Sequence, residues 1–236
     1  MNVANKLKNS VKVIDLSHEI YNEMPGWPTH PVFRIYSLKN IEIDGYNIKE
    51  ILMNTHHGTH LDLPVHMIKN GKKLEDYPID KFIGEGVVIN LSHKKAKEHI
   101  TNNDLENFDI KENYIVMIYT GWSNKRGWNK DYLYLWPYLD EKGAEYLKEK
   151  KIKLVGIDTL SIGAFGGKTA AMDPIDTTSI IVHQILLGND ILILEEVANL
   201  NLVLNEKSQA KAFFVIAPLK IKEADGAPAR VLAFLE

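Results

Sequence analysis

His56-His57-Gly58-Thr59-His60-Leu61-Asp62-Leu63-Pro64-Val65-His66 gathers four of the chain's nine histidines, with an aspartate, into one short run. A polar surface loop is the plain reading of any two neighbouring histidines. Four of them around Asp62, framed by Gly58 and Pro64 with no low-complexity sequence nearby, point to metal ligation instead. His56, His60, Asp62 and His66 sit at even offsets, so a regular strand would turn them to one face. An extended chain at ~3.3 Å per residue would nevertheless hold His56 and His60 about 13 Å apart. Nitrogens sharing an ion approach far closer, since each metal–nitrogen bond is only ~2.0–2.1 Å. The chain must therefore bend, and Gly58 can take positive φ without steric cost. Pro64 biases Leu63 toward an extended conformation and stops a helix from continuing. The expectation is a turn that folds two histidines together, then an extended run presenting Asp62 and His66. Spacing alone leaves His56 and His57 both open as the first ligand.

Outward from this run, short stretches rich in Val, Ile and aromatics read as strands. They are Val11–Leu16, Val32–Leu38, Gly86–Leu91, Tyr114–Tyr119, Lys153–Ile157, Ile191–Leu194, Ala212–Ala217 and Arg230–Leu235. Asp140 to Lys150 reads as a helix, with Asp140 as N-cap and a stripe of Ala144, Tyr146 and Leu147. Thr177 to Leu187 is apolar nearly all round, so as a helix it is buried. Two shorter helices are expected after Thr101 and after Glu196. Strands crowd both ends of the chain, which fits a doubly wound sheet poorly. The expected class is α/β or α+β, as a single domain built on one mixed sheet.

The 236 residues include 45% hydrophobic and 25% charged side chains, with a net charge of −3. That balance allows a sizeable core and gives no basic footprint for nucleic acid. There is no cysteine, so disulfides, thiolate nucleophiles and zinc–sulfur sites are excluded, and a metal must be held by His, Asp or Glu. Met1 to Val13 has no apolar core typical of a secretory signal, and no run is long enough to span a membrane. A cytoplasmic protein acting on a small molecule, with no nucleic-acid or membrane partner, is the expectation.

The pattern His-x-Gly-Thr-His-x-Asp-x-Pro-x-His resembles the signature of the metal-dependent cyclase family, which includes bacterial kynurenine formamidases and isatin hydrolases. Other stretches resemble family motifs in the same order: Asp15–His18 with Met24–Pro28, Tyr119–Trp122, Gly156–Ser161, Glu195–Leu200 and Asp225–Arg230. The resemblance covers the chain from about residue 11 to its end. It implies an α/β, single-domain, mixed-sheet fold of the swivelling β/β/α type over residues 1–236. It makes His56 rather than His57 the first ligand, joined by His60 and Asp62 on one ion. Asp62 also reaches a second ion completed by His183 and Glu195, with Glu195 touching both. His66 is the proton-transfer residue, and Trp27 stacks on an aromatic substrate. Two divalent ions per chain follow, zinc first, with manganese or iron as alternatives. Relatives of this kind are usually homodimers or homotetramers.

The implied reaction is hydrolysis of a small aryl formamide or cyclic amide by a metal-activated water, with His66 giving a proton to the departing nitrogen. An isatin hydrolase-like reaction, a metal-assisted cyclase or lyase, and a non-catalytic metal-binding protein are the alternatives. Read without the family, His183 on its apolar helix is an ordinary core histidine, and Glu196 competes with Glu195. Trp27 equally packs a loop. Two departures from the family pattern bear on the substrate: Pro28-Thr29-His30 follows the tryptophan where Pro-Gly-Asp is common, and Leu63 replaces a small residue. The aromatic segment from Trp122 to Tyr138 reads as core, pocket wall or interface.

Overall fold

The computed structural model describes residues 12–165 and 178–235. Twelve strands occur among them: β1 (Lys12–Asp15), β2 (Arg34–Lys39), β3 (Ile48–Leu52), β4 (His60–Asp62), β5 (Ile83–Asn90), β6 (His99–Ile100), β7 (Ile115–Tyr119), β8 (Tyr138–Leu139), β9 (Leu154–Ile157), β10 (Leu192–Glu195), β11 (Gln209–Pro218) and β12 (Gly226–Leu235). Eight form one mixed sheet in the order β1-β12-β11-β5-β7-β9-β10-β4. β4 also pairs with β12, so the sheet closes on itself like a barrel and β1 is appended outside the ring. β5, β7, β9 and β10 run parallel to their neighbours in that order, and the remaining pairs of this sheet are antiparallel. All eight strands expected from sequence are present, and the mixed sheet is borne out.

The side-chain period of two explains how one sheet serves two cores. Val88, Met117, Leu154, Leu194 and Phe214 point into the barrel. Their neighbours Val87, Val116, Val155 and Ile193 point outward, where helices cover them. The covering helices include Glu141–Glu149, which buries Ala144 and Leu147, and Thr178–Leu187, which buries Val182 and Leu186. Asp140 caps the first of these, accepting from the Gly143 amide at 2.8 Å. Buried on both faces, the parallel strands read as continuous apolar runs rather than alternating ones. The two short helices lie at Asn102–Leu105 and Leu200–Leu204. Among the described residues no helix is long and apolar enough to cross a membrane.

Four strands lack the sequence signal and are found only in the structure. β6 and β8 are two residues each, and β3, which forms a separate hairpin with the expected β2, is exposed throughout. β4 has only three residues, all buried. One local expectation is corrected: Asp62 is not followed by an extended run. The strand ends there, and Pro64–His66 forms a 3₁₀ turn. The reason is Pro64 at its first position, whose fixed φ suits the start of a helical turn and whose missing N–H is not needed there. Leu63 before it is extended, at φ −113° and ψ 155°.

Candidate metal centre

β4 lies between β10 and β12, and its register places the site. Leu61 enters the barrel core, so His60 and Asp62 face outward, toward the layer that holds helix Thr178–Leu187. His60 pairs with Glu195 across the β4–β10 ladder, and Asp62 pairs with Ile193. A histidine, two carboxylates and His183 from the helix therefore meet under cover, at a surface that is buried although it faces out of the barrel. Gly58, at φ +67°, makes the bend that brings His56 back to His60, with ring centroids 5.0 Å apart.

The two carboxylates each face two ways. Asp62 Oδ1 is 2.8 Å from His56 Nδ1 and 3.3 Å from His60 Nε2, whereas its Oδ2 is 3.5 Å from His183 Nε2. Glu195 Oε2 is 3.6 Å from His60 Nε2, and its Oε1 is 3.2 Å from His183 Nε2. His60, Asp62 and Glu195 could hold an ion together, and so could His56, Asp62 and His66. His60 supplies the fit test. Its Nδ1 lies 2.8 Å from the Gly58 carbonyl, while its Nε2 is buried without a hydrogen bond and turned to both carboxylates. A ring anchored by a carbonyl on one nitrogen and orphaned on the other has the arrangement of a metal ligand with its supporting partner. The N and O donor set suits a divalent ion.

Electrostatics agree. Burial opposes charge on His56, but the carboxylates of Asp62 and Asp225 outweigh it and hold its pKa up at about 10. Burial likewise opposes charge on His183, and hydrogen bonds from Asp62 and Glu195 raise it to about 10. His60 is raised by Asp62 against the same burial cost. Asp62 is held well below the usual carboxylate range, because the neighbouring imidazoles overcome its burial. Without a metal, protons take the positive charge that the carboxylates demand.

The predicted site residues converge. Trp27, His56, His60, His66, His183 and Glu195 all line one cavity of about 200 Å³, together with His30, Met67, Leu160 and Ser161. His57 turns away: its Nδ1 accepts from the Asn54 amide and its ring meets Phe33 edge-on at 5.7 Å. Glu196 also leaves the site. With φ +51° it swings to the other side, where its buried carboxylate accepts from Tyr132 Oη and lies 3.5 Å from Arg126 Nε. Trp27 stands on an aromatic wall, with Phe165 at 5.1 Å and Trp136 at 6.0 Å. Trp122, Tyr132, Leu133, Trp136 and Tyr138 belong to a small buried cluster behind it, whereas Trp128 of the same segment is exposed.

Sequence reasoning missed two residues. Ser161 Oγ donates to Glu195 Oε1 at 2.9 Å, beside the Ile162 amide at 2.7 Å, and so locks that carboxylate. Asp225 Oδ2 lies 3.1 Å from His56 Nε2 and 3.6 Å from His66 Nδ1. Both belong to family-like stretches, but nothing local distinguishes them from turn residues.

The family model for putative cyclases matches residues 14–164. The chain is 32% identical to a kynurenine formamidase of Geobacillus thermodenitrificans (strain NG80-2) over 219 residues, 92% of this chain and 94% of the relative. Among solved structures it resembles isatin hydrolase A from Labrenzia aggregata bound to benzyl benzoate, at 27% identity and a TM-score of 0.82, covering 99% of this chain and 97% of that one. It also resembles a potential metal-dependent hydrolase with cyclase activity, at 29% identity and a TM-score of 0.74, covering 95% and 98%. On the family model's match and the Geobacillus relative's identity across nearly the whole chain, the chain belongs to the cyclase family.

Proposed function

We propose that this protein is a metal-dependent amide hydrolase acting on a small aryl formamide, of the kynurenine formamidase kind, with the whole chain as one domain. The observation that carries the reading is the pair of carboxylates, Asp62 and Glu195, each presenting one oxygen to His60 and the other to His183. In this reading His56, His60 and Asp62 hold one divalent ion, and Asp62, His183 and Glu195 hold a second. Zinc suits these ligands first, with manganese or iron as alternatives. Such ions supply Lewis-acid polarisation of a carbonyl and a water acidic enough to react near neutral pH.

The chain's own residues do the rest. Trp27, backed by Phe165 and Trp136, offers an aryl ring a flat apolar face beside the ligands. The cavity is small enough to favour a single-ring substrate over a polymer. Ser161 and the Ile162 amide keep Glu195 from rotating as charge changes at the site. His66, on the 3₁₀ turn at the cavity wall, is placed to hand a proton to the departing nitrogen, which leaves poorly as an anion.

A cyclic amide is the second reading, favoured by the likeness to isatin hydrolase A. Metal analysis of the purified protein followed by assays on N-formylkynurenine, isatin and simple formanilides decides between them. Hydrolysis of none of the three by the zinc- or manganese-loaded enzyme would remove the amide hydrolase assignment. The cytoplasm is the proposed location and a homodimer or homotetramer the proposed assembly. The β2–β3 hairpin leaves Tyr36, Ile43, Ile51 and Leu52 uncovered, which suits burial in an assembly. Sedimentation as a monomer at micromolar concentration would remove the oligomer.

A further inference from the structure

Among the described residues, Asp225 is the one carboxylate at the site that no role assigned above accounts for. It lies immediately before β12, on the loop that enters the strand pairing with β4. Its Oδ1 accepts from Thr55 Oγ1 at 2.7 Å, which fixes the rotation of the carboxylate. Its Oδ2 then faces two rings at once, 3.1 Å from His56 Nε2 and 3.6 Å from His66 Nδ1. The two rings lie side by side, with centroids 4.1 Å apart and planes 35° apart. His56 turns its other nitrogen, Nδ1, to Asp62. A second observation comes from the next residue. A Cβ on Gly226 would sit 2.6 Å from His56 Cε1 and 2.9 Å from its Nε2, so the backbone there is shaped to the edge of that ring.

We propose that Asp225 is a positioning residue that orients the metal-ligand His56 and the proton carrier His66 through a single oxygen. A carboxylate accepts and cannot donate, so the nitrogen facing it must carry the proton. His66 is thereby held as the Nδ1–H tautomer, which leaves Nε2 as the nitrogen that exchanges a proton with substrate. His56 would keep its proton on Nε2, toward Asp225, when an ion takes the place of the proton that its Nδ1 shares with Asp62. One side chain thus ties the order of the metal site to the tautomer of the acid–base group. The proposal rests on the reading of His66 as the proton carrier. Asp225 is half-exposed and water competes for its oxygens, so its removal weakens rather than abolishes turnover.

The test uses the full-length chain labelled with ¹⁵N-histidine, metal-free and zinc-loaded, as wild type and as Asp225→Ala, Asp225→Asn and Thr55→Val. Long-range ¹H–¹⁵N spectra should show the Nδ1–H tautomer for His66 in wild type and a mixture, or Nε2–H, in Asp225→Ala. Asp225→Asn keeps an acceptor oxygen and should retain the wild-type tautomer. On the best amide substrate, Asp225→Ala should lower kcat by about tenfold or more at near-constant KM and metal content, with Asp225→Asn closer to wild type. A wild-type His66 tautomer in both Asp225→Ala and Thr55→Val overturns the proposal. If Asp225→Ala does not fold, Thr55→Val carries the readout, and a wild-type His66 tautomer there overturns the proposal. The spectra need no substrate, so they judge Asp225 even if His66→Ala proves fully active and the hydrolase reading of His66 fails.

Discussion

Substituting Gly226 by alanine should damage both the fold and the metal site, for a reason of space alone. Gly226 is not among the positive-φ glycines, so alanine is conformationally acceptable at that position. The added methyl would meet His56 Cε1 at 2.6 Å, His56 Nε2 at 2.9 Å and the Leu61 carbonyl oxygen at 2.9 Å. Carbon atoms in good contact sit about 3.5–4.0 Å apart, so His56 must retreat by roughly 1 Å or β12 must slide from β4. His56 is pinned by Asp62 and Asp225, and the carbonyl is backbone of the strand that closes the barrel. Neither yields freely. Overpacking of this kind costs about 1–3 kcal/mol. At ~2–4 °C per kcal/mol for a chain of this size, Tm should fall by about 2–12 °C. Because the ring that moves is the proposed first ligand, zinc affinity should fall by roughly 10–100-fold. Scanning calorimetry of the metal-free protein and competitive zinc titration measure the two effects separately. A Gly226→Ala protein with unchanged Tm and unchanged zinc affinity would refute both the packing argument and the place of His56 at the ion.

Four further outcomes follow from the structure. His66→Ala should keep its metal and lose about 10²–10⁴-fold in kcat, whereas Asp62→Ala should lose metal and activity together; elemental analysis beside the assay separates them. Zinc uptake at neutral pH should release protons, because His56 and His183 have pKa values of about 10 when metal-free and must be neutral to bind. Calorimetry in two buffers of different ionisation heat counts these protons, and none released would contradict the charge balance. Since the folded pKa values lie above the ordinary 6.5, these histidines stabilise the metal-free fold fully below about pH 6.5 and lose that contribution as pH rises toward 10. Arg126→Met should destabilise the protein by about 3–5 kcal/mol in urea denaturation, because it strands the buried carboxylate of Glu196; a change below 1 kcal/mol would show that Tyr132 alone satisfies it.

The apolar runs of the barrel were legible because strands buried on both faces need little but Val, Ile and Leu. The ligand strand was not, and the cause lies in its three residues. His60-Leu61-Asp62 does alternate, but three positions are too few to show a period, and its polar face is the one buried beneath a helix. Closure of the barrel had no local signal, because β4 meets β12 from the far end of the chain. The choice between Glu195 and Glu196 turns on which follows Leu194 to the outer face before the backbone reverses at φ +51°. No spacing rule contains that reversal. The family pattern favoured Glu195, as it favoured His56 over His57. His66 lines the cavity from a turn that was expected to be straight, since Pro64 was read as a helix stop when it serves as a helix start.

β4 also bears on how the molecule assembles. It joins β10 on one side and β12 on the other, and two of its three side chains are candidate ligands. Partners so distant along the chain pay a large loop-closure entropy before any contact rewards them. So short a strand offers few hydrogen bonds in return. Metal capture at His60 and Asp62, as proposed, would double as a clasp on the seam of the barrel. Backbone amides of β4 should exchange with solvent faster than those of β5 or β7 in the metal-free protein, and the gap should narrow on loading. On that reading the proposed metal ligands are also the residues that decide when folding is finished.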